Sequence, residues 1–208
     1  MSAGGLFVTF EGIDGSGKST QSKLFAKHLT NTGISVVLTR EPGGSTGAED
    51  IRALLVSGET GRWSPETEIL LFNAARRDHL EKTILPALND GKTVVSDRFA
   101  DSTRVYQGAV RADLRPMVDE LHKLMIGREP DLTFIIDTDP EIALERGLAR
   151  RSGEDRFEDF GLQFQIDLRR GFQRLAAQFS NRCHLVDGNK KPEQIAREIA
   201  GFAAKLQP

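Results

Sequence analysis

Cysteine is almost absent from this 208-residue chain: Cys183 stands alone, so no internal disulfide can form. The four histidines show no paired spacing with cysteine or acid that would make a zinc site. A reducing compartment suits such a chain. Positive charge is not in excess either. The 28 Lys and Arg stand against 30 Asp and Glu, a net charge of -2, which excludes capture of nucleic acid or anionic lipid by long-range attraction. Any pull on phosphate must therefore be local. No apolar run approaches the ~20 residues that span a bilayer, and the opening "MSAGGLFVTFEG" has no basic leader segment. Internal repeats, low-complexity tracts and long linkers are missing as well. The expectation is one domain over residues 1–208, soluble and cytoplasmic, without nucleic-acid or membrane partners.

What is present is a rhythm. Short apolar runs rich in β-branched residues recur at 6–10, 34–39, 93–97, 132–137 and 184–187. They are nearly continuous in hydrophobicity rather than alternating, which predicts strands buried on both faces of a parallel sheet covered by helices. Two segments between them carry apolar residues at helical spacing. These are 19–30, with Leu24, Phe25 and Leu29, and 65–88, with Ile69, Leu70, Phe72 and Leu80. Strands alternating with helices give an α/β fold.

Directly after the first predicted strand comes Gly12-Ile13-Asp14-Gly15-Ser16-Gly17-Lys18-Ser19, which satisfies G-x-x-x-x-G-K-[ST], followed by Thr20. Glycines let backbone N–H groups turn inward onto phosphate oxygens, and the helix that follows adds its positive end. Lys18 would reach the β and γ phosphates of a nucleoside triphosphate, and the Ser19 hydroxyl would ligate Mg²⁺ between them. Asp14 is out of place in such a loop, since phosphate repels a carboxylate. It either points away, toward a sugar hydroxyl or a metal-bound water, or it caps local backbone N–H groups.

Three further stretches carry chemistry. "TREPGG" follows the second strand, where ligands gather in parallel sheets; Pro42 and two glycines would hold Arg40 and Glu41 at the sheet edge. Asp97-Arg98 ends the third strand. There the acid suits Mg²⁺ or its waters and the guanidinium suits a phosphate, unless the two simply pair on the surface. Phe72 and Arg76 are four apart, hence on one helical face, where a ring and a guanidinium can hold a base; by periodicity alone Phe72 reads as core. Late in the chain, "ERGLARRSGEDRFEDF" (145–160) crowds Arg146, Arg150, Arg151 and Arg156 around Gly153. That is either a solvated helix end or a mobile lid able to bring a cation over the γ phosphate.

Taken in order, "FEGIDGSGKST", "TREPGG", "DRF", "STRVYQG" and an arginine-rich lid resemble the thymidylate kinase family over almost the whole chain. The resemblance implies a P-loop nucleoside monophosphate kinase-like three-layer fold, with a five-stranded parallel sheet of order 2-3-1-4-5. It implies transfer of the ATP γ phosphate to dTMP with Mg²⁺, in a homodimer. By the same resemblance, Gly12 to Thr20 and Arg146 would bind ATP, and Ser19 and Asp97 the metal. Asp14, Glu41 and Pro42 would lie near the acceptor's sugar and phosphate, with Arg98 gripping that phosphate. Phe72 would stack on thymine, Arg76 would reach a carbonyl oxygen of the base, and Thr103 and Gln107 would line its edge. Tyr106 would stand where a 2′ hydroxyl clashes. Lys18, Asp14 and Arg98 would be catalytic. Some relatives carry arginine in the phosphate loop where this chain has Gly15; here a lid arginine, Arg150, Arg151 or Arg156, would supply the cation instead.

Transfer fits the residues better than hydrolysis, because the aspartate ending the third strand is followed by Arg98 rather than by an acid that could position water. "NKKP" (189–192) lacks the aspartate of a guanine-specific switch, and "DFG" (159–161) has no accompanying H-R-D loop. A P-loop switch that regulates a partner, or a kinase for another small metabolite, remains as an alternative.

Overall fold

The computed structural model describes residues 5–58, 61–110, 114–148 and 161–203. Five parallel strands make one sheet: β1 (Phe7–Glu11), β2 (Val36–Arg40), β3 (Thr93–Asp97), β4 (Leu132–Asp137) and β5 (Cys183–Asp187), ordered β2-β3-β1-β4-β5. That is the order the resemblance implies. Register sets Phe10 and Arg40 on either side of Asp97, and Glu11 beside Ile135, so the carboxyl ends of the strands finish level. The strand order reverses at β1, and the crevice above such a reversal is where α/β sheets bind ligands.

Burial on both faces holds for the three central strands, whose apolar residues are almost fully enclosed. It fails at the edges. Leu38 of β2 and Leu185 of β5 are each 45% exposed, because an edge strand has one neighbour and the covering helices reach only part of it. On one face α1 (Lys18–Asn31) and, late in the chain, the last helix (Pro192–Ala203) close over Phe10, Phe25 and Phe134, whose rings meet at centroid distances of 5.4 to 5.9 Å. The other face takes the remaining helices. They are α2 (Thr46–Val56), α3 (Pro65–His79), α4 (Leu85–Asn89), α5 (Ala100–Val110), α6 (Arg115–Met125), α7 (Pro140–Leu148) and α8 (Gly161–Gln178); the last helix is α9.

The helix expected over 65–88 is not uniform. Ser64 caps its start, accepting from Thr67 N at 3.2 Å with Pro65 behind it, and α3 runs regularly to His79. Leu80 to Ile84 then widen into a π-helical segment before α4. Pro86 has no N–H to give the carbonyl four residues back and its ring crowds that carbonyl, so a widened turn relieves a conflict that apolar periodicity does not register.

Candidate functional site

The phosphate loop leaves β1 at Glu11 and re-enters regular structure at Lys18. Gly12, Gly15 and Gly17 all have positive φ, at 141°, 80° and 97°. At Gly15 a side chain is excluded twice, since a Cβ would also lie 1.8 Å from the Ala143 carbonyl oxygen of α7. Among the described residues no side chain caps the first turn of α1 and no acid sits in it; Thr20 and Gln21 N–H bond to Gly17 O, and the Lys18 and Ser19 N–H groups are left for an outside acceptor. Lys18 is buried, with Nζ 3.1 Å from the Ile13 carbonyl and 3.4 Å from Asp14 Oδ1. Burial and repulsion from Arg98 lower the Lys18 pKa, partly offset by Asp14 and Asp97.

Arg98 faces the loop from the end of β3. Its φ of 74° is left-handed, a conformation costing on the order of 1–3 kcal/mol in a non-glycine residue. The turn is held from every side: Arg98 N donates to Phe10 O, Ser96 Oγ to Arg98 O, and Phe99 N to Glu11 Oε1 at 2.7 Å. The guanidinium then crosses to Asp14 Oδ1 (2.5 Å), the Ser102 hydroxyl (2.7 Å), Tyr106 Oη (3.0 Å) and Gly12 O (3.3 Å). Asp14 therefore caps no backbone N–H. It binds Arg98, Lys18 and the Tyr106 hydroxyl, which donates to Oδ2 at 2.7 Å. Burial would raise its carboxyl, but Arg98, Lys18 and those hydrogen bonds outweigh burial and hold it well below the usual range. Nor do Asp97 and Arg98 pair with each other. Asp97 Oδ1 is buried and has no hydrogen-bond partner among the described residues, and Asp97 lines the same cavity as Ser19.

That cavity, of about 240 Å³, gathers most of the residues singled out from the sequence. Its lining brings Asp14, Lys18, Ser19, Asp97 and Arg98 together with Glu41, Pro42, Phe72, Arg76, Thr103, Tyr106 and Gln107. The expected partition of "TREPGG" changes in detail. Arg40 alone stays at the sheet edge, in an exposed pair with Glu49 at 3.2 Å, while Glu41 turns inward and is only 6% exposed. Glu41 takes Arg76 Nε at 2.8 Å, and Arg76 Nη2 continues to Thr103 Oγ1 at 3.0 Å and Phe99 O at 3.3 Å. Phe72 is half-buried and lines the cavity rather than the core. Gln107 Nε2 reaches Glu68 at 3.3 Å while its buried Oε1 has no partner among the described residues. Arg146, ending α7, donates to Gly188 O at 3.3 Å. Arg150, Arg151 and Arg156 lie outside the described residues.

Three participants are given no role by the motifs, although Glu11 lies within "FEGIDGSGKST" and Ser102 within "STRVYQG". Glu11 accepts from Phe99 N and Ser102 Oγ, and Ser102 in turn holds Arg98. Arg52 of α2 lines the cavity and donates to Pro42 O at 2.6 Å; its only trace in sequence is the i, i+3 spacing from Glu49.

A phosphate loop whose Lys18 and Ser19 line one cavity with Arg98, Phe72 and Arg76 makes this a P-loop phosphotransferase for small molecules. The family model for thymidylate kinase matches residues 10–199. The chain is 64% identical over 199 residues to the thymidylate kinase of Dinoroseobacter shibae, with 96% of each covered, and 63% identical over 194 residues to that of Jannaschia sp., with 93% of each covered. The crystal structure of thymidylate kinase from Ehrlichia chaffeensis superposes with a TM-score of 0.79 at 37% identity, covering 97% of this chain and 99% of that one. The chain belongs to the thymidylate kinase family.

Proposed function

We infer that this protein transfers the γ phosphate of ATP to dTMP, giving dTDP and ADP. The observation that carries it is the shared cavity, whose lining joins groups suited to phosphate with a ring, a guanidinium and amide and hydroxyl groups suited to a base and sugar. Lys18 and Arg98 place two cations where charge gathers on the moving phosphoryl group, and Asp14 fixes both. The acceptor oxygen already carries charge, so the residues need only align and neutralise. The unpartnered Gln107 Oε1 and the Arg76 guanidinium are matched to a donor and an acceptor on thymine.

Mg²⁺ fits the residues present. Among the described residues no cluster of three or more His, Cys, Asp or Glu could hold a metal, but Mg²⁺ bound to phosphates needs only one or two protein ligands. Asp97, with its orphaned Oδ1, and Ser19 would hold it directly or through water, and when bound it would offset phosphate charge. We also propose that two copies pair: α3 packs on both α2 and α6, and each of α3 and α6 carries an exposed leucine, Leu70 (53% exposed) and Leu124 (79% exposed). Among the described residues no helix is long and apolar enough to cross a membrane, and we place the protein in the cytoplasm.

The test is ADP release from ATP and Mg²⁺ with dTMP, dUMP, UMP and dCMP offered separately. The greatest kcat/KM is expected for dTMP. Preference for another acceptor reassigns the substrate, and turnover indifferent to every acceptor replaces the kinase with a hydrolase or switch.

A further inference from the structure

His79 ends α3, is 0% exposed and belongs to none of the motifs that mark the site. Its ring is engaged at both nitrogens: Nδ1 lies 3.0 Å from Glu41 Oε1 and Nε2 2.7 Å from Thr39 Oγ1. Burial works to raise the Glu41 carboxyl, yet Arg76 and His79 outweigh it and keep that carboxyl below its usual range. An ionised carboxylate only accepts, so Nδ1 carries a proton and donates it to Oε1, while Arg76 Nε donates to Oε2 at 2.8 Å. Arg76 Nη2 then meets Thr103. One line of hydrogen bonds therefore runs from the end of β2 to α5, across the floor of the nucleotide pocket.

The neighbouring loop is shaped around this imidazole. Gly44 has φ 89°, and a Cβ there would lie 2.3 Å from His79 Nε2 and 2.5 Å from Thr39 Oγ1. Thr83, in the π-helical segment just beyond His79, donates to the Gly44 carbonyl at 2.7 Å. The widened turn and the glycine both keep the "TREPGG" loop against the ring.

We propose that His79 is a positioning residue for the acceptor pocket: by fixing Glu41 it aims the Arg76 guanidinium at the base of the bound monophosphate. This rests on the reading that the pocket holds dTMP. Without the imidazole, one buried oxygen of Glu41 loses its donor and the carboxylate is free to rotate, so Arg76 loses a fixed partner.

Steady-state kinetics on the full-length protein test it with four variants. His79→Leu is expected to raise KM for dTMP about tenfold, with KM for ATP and kcat within about twofold. His79→Asn, whose amide can stand in for Nδ1, is expected to recover most of that loss. Thr39→Val, which keeps shape and removes only the hydroxyl, is expected to raise KM for dTMP about threefold, and it serves if His79→Leu does not fold. An Asn variant no better than Leu, a rise confined to ATP, or an unchanged KM for dTMP in both Leu and Val would overturn the proposal. Arg76→Ala separates the two levels. If it raises KM for ATP and spares dTMP, the pocket assignment itself fails. If it raises KM for dTMP while His79→Leu does not, only the role of His79 is lost.

Discussion

Two clusters of buried charge lie on opposite faces of α5. Toward the cavity, Ser102 and Tyr106 meet Arg98, which meets Asp14 and through it Lys18. On the other face Asp101 binds Arg104 at 2.8 Å and Arg182 at 2.6 Å, and Arg104 continues to Asp119 and Glu129. In this second cluster Nε, Nη1 and Nη2 of Arg104 all donate to carboxylates. The first is left incomplete. Among the described residues Asp97 Oδ1 has no partner, and Lys18 has only a carbonyl and one long contact to Asp14. Arg104, fully engaged, can only hold; donors and acceptors in reserve on a cavity wall can receive a ligand. Spacing along the helix, with Asp101 and Arg104 on one side and Ser102 and Tyr106 on the other, lets one element brace itself and serve the pocket.

The comparison breaks if loss of charge has the same effect on both faces. Lys18→Ala removes a cation from the site of transfer and is expected to lower kcat by at least 10²- to 10³-fold, roughly, with the melting temperature little changed. Asp101→Ala removes the buried carboxylate that Arg104 and Arg182 share and leaves them the half-exposed Asp119 and Glu129, a loss of about 3 kcal/mol, or roughly 10 °C in melting temperature. Turnover measured well below that transition should stay within about threefold. Thermal melting and kcat for both variants check this; an Asp101 variant that melts normally but does not turn over would erase the distinction.

The functional cluster was the more legible of the two in sequence. Its loop is local, with glycine, lysine and serine at fixed offsets, and strands 93–97 and 132–137 fall where continuous burial places them. Edges are less legible, because the exposure of Leu38 follows from having one neighbour and not from its own segment. Partnerships across the chain leave no local trace. Asp14 meets Arg98 84 residues away, Glu11 meets Phe99 88 away, and Glu41 meets His79 38 away. The structural cluster joins residues from 101 to 182, and no periodicity or motif brings those together.

A smaller effect, of opposite sign on the two faces, sharpens the contrast. Burial, with Asp101 nearby, pushes the Glu11 carboxyl up to about 7, against the opposing pull of Arg98 and its hydrogen bonds from Ser102 and Phe99. The native state thus holds this proton more tightly than the unfolded chain, where the usual value is 4.5. The Glu11 contribution to stability is complete below about pH 4.5 and is lost as pH rises through about 7. Glu129 behaves in reverse. Burial opposes its charge, but His122 and Arg104 outweigh burial and lower its pKa, so its contribution is present above the usual carboxylate range and fades as pH falls. Melting temperatures from about pH 2 to about pH 8 follow both, the Glu11 change falling between about 4.5 and about 7 and the Glu129 change below 4.5. Glu11→Gln should gain on the wild type as pH rises, by roughly 2–4 °C for each kcal/mol involved. The deficit of Glu129→Gln should shrink as pH falls. Parallel pH profiles for the two variants would contradict the assignment.

The finest test lies within the functional cluster, at Tyr106. Its hydroxyl joins Asp14 to Arg98, while its ring lies 4.9 Å beneath the guanidinium and against Phe164 and Phe172. Tyr106→Phe keeps the ring and removes two hydrogen bonds, so kcat/KM for dTMP should fall by about tenfold or less while the preference for dTMP over UMP persists. Tyr106→Ala also removes the ring that would meet a 2′ hydroxyl, so that preference should narrow. Competition between dTMP and UMP reads both variants. If the phenylalanine variant alone relaxes the preference, the bond to Asp14 rather than the bulk of the ring excludes the ribonucleotide, and selectivity joins transfer as a property of the charged cluster.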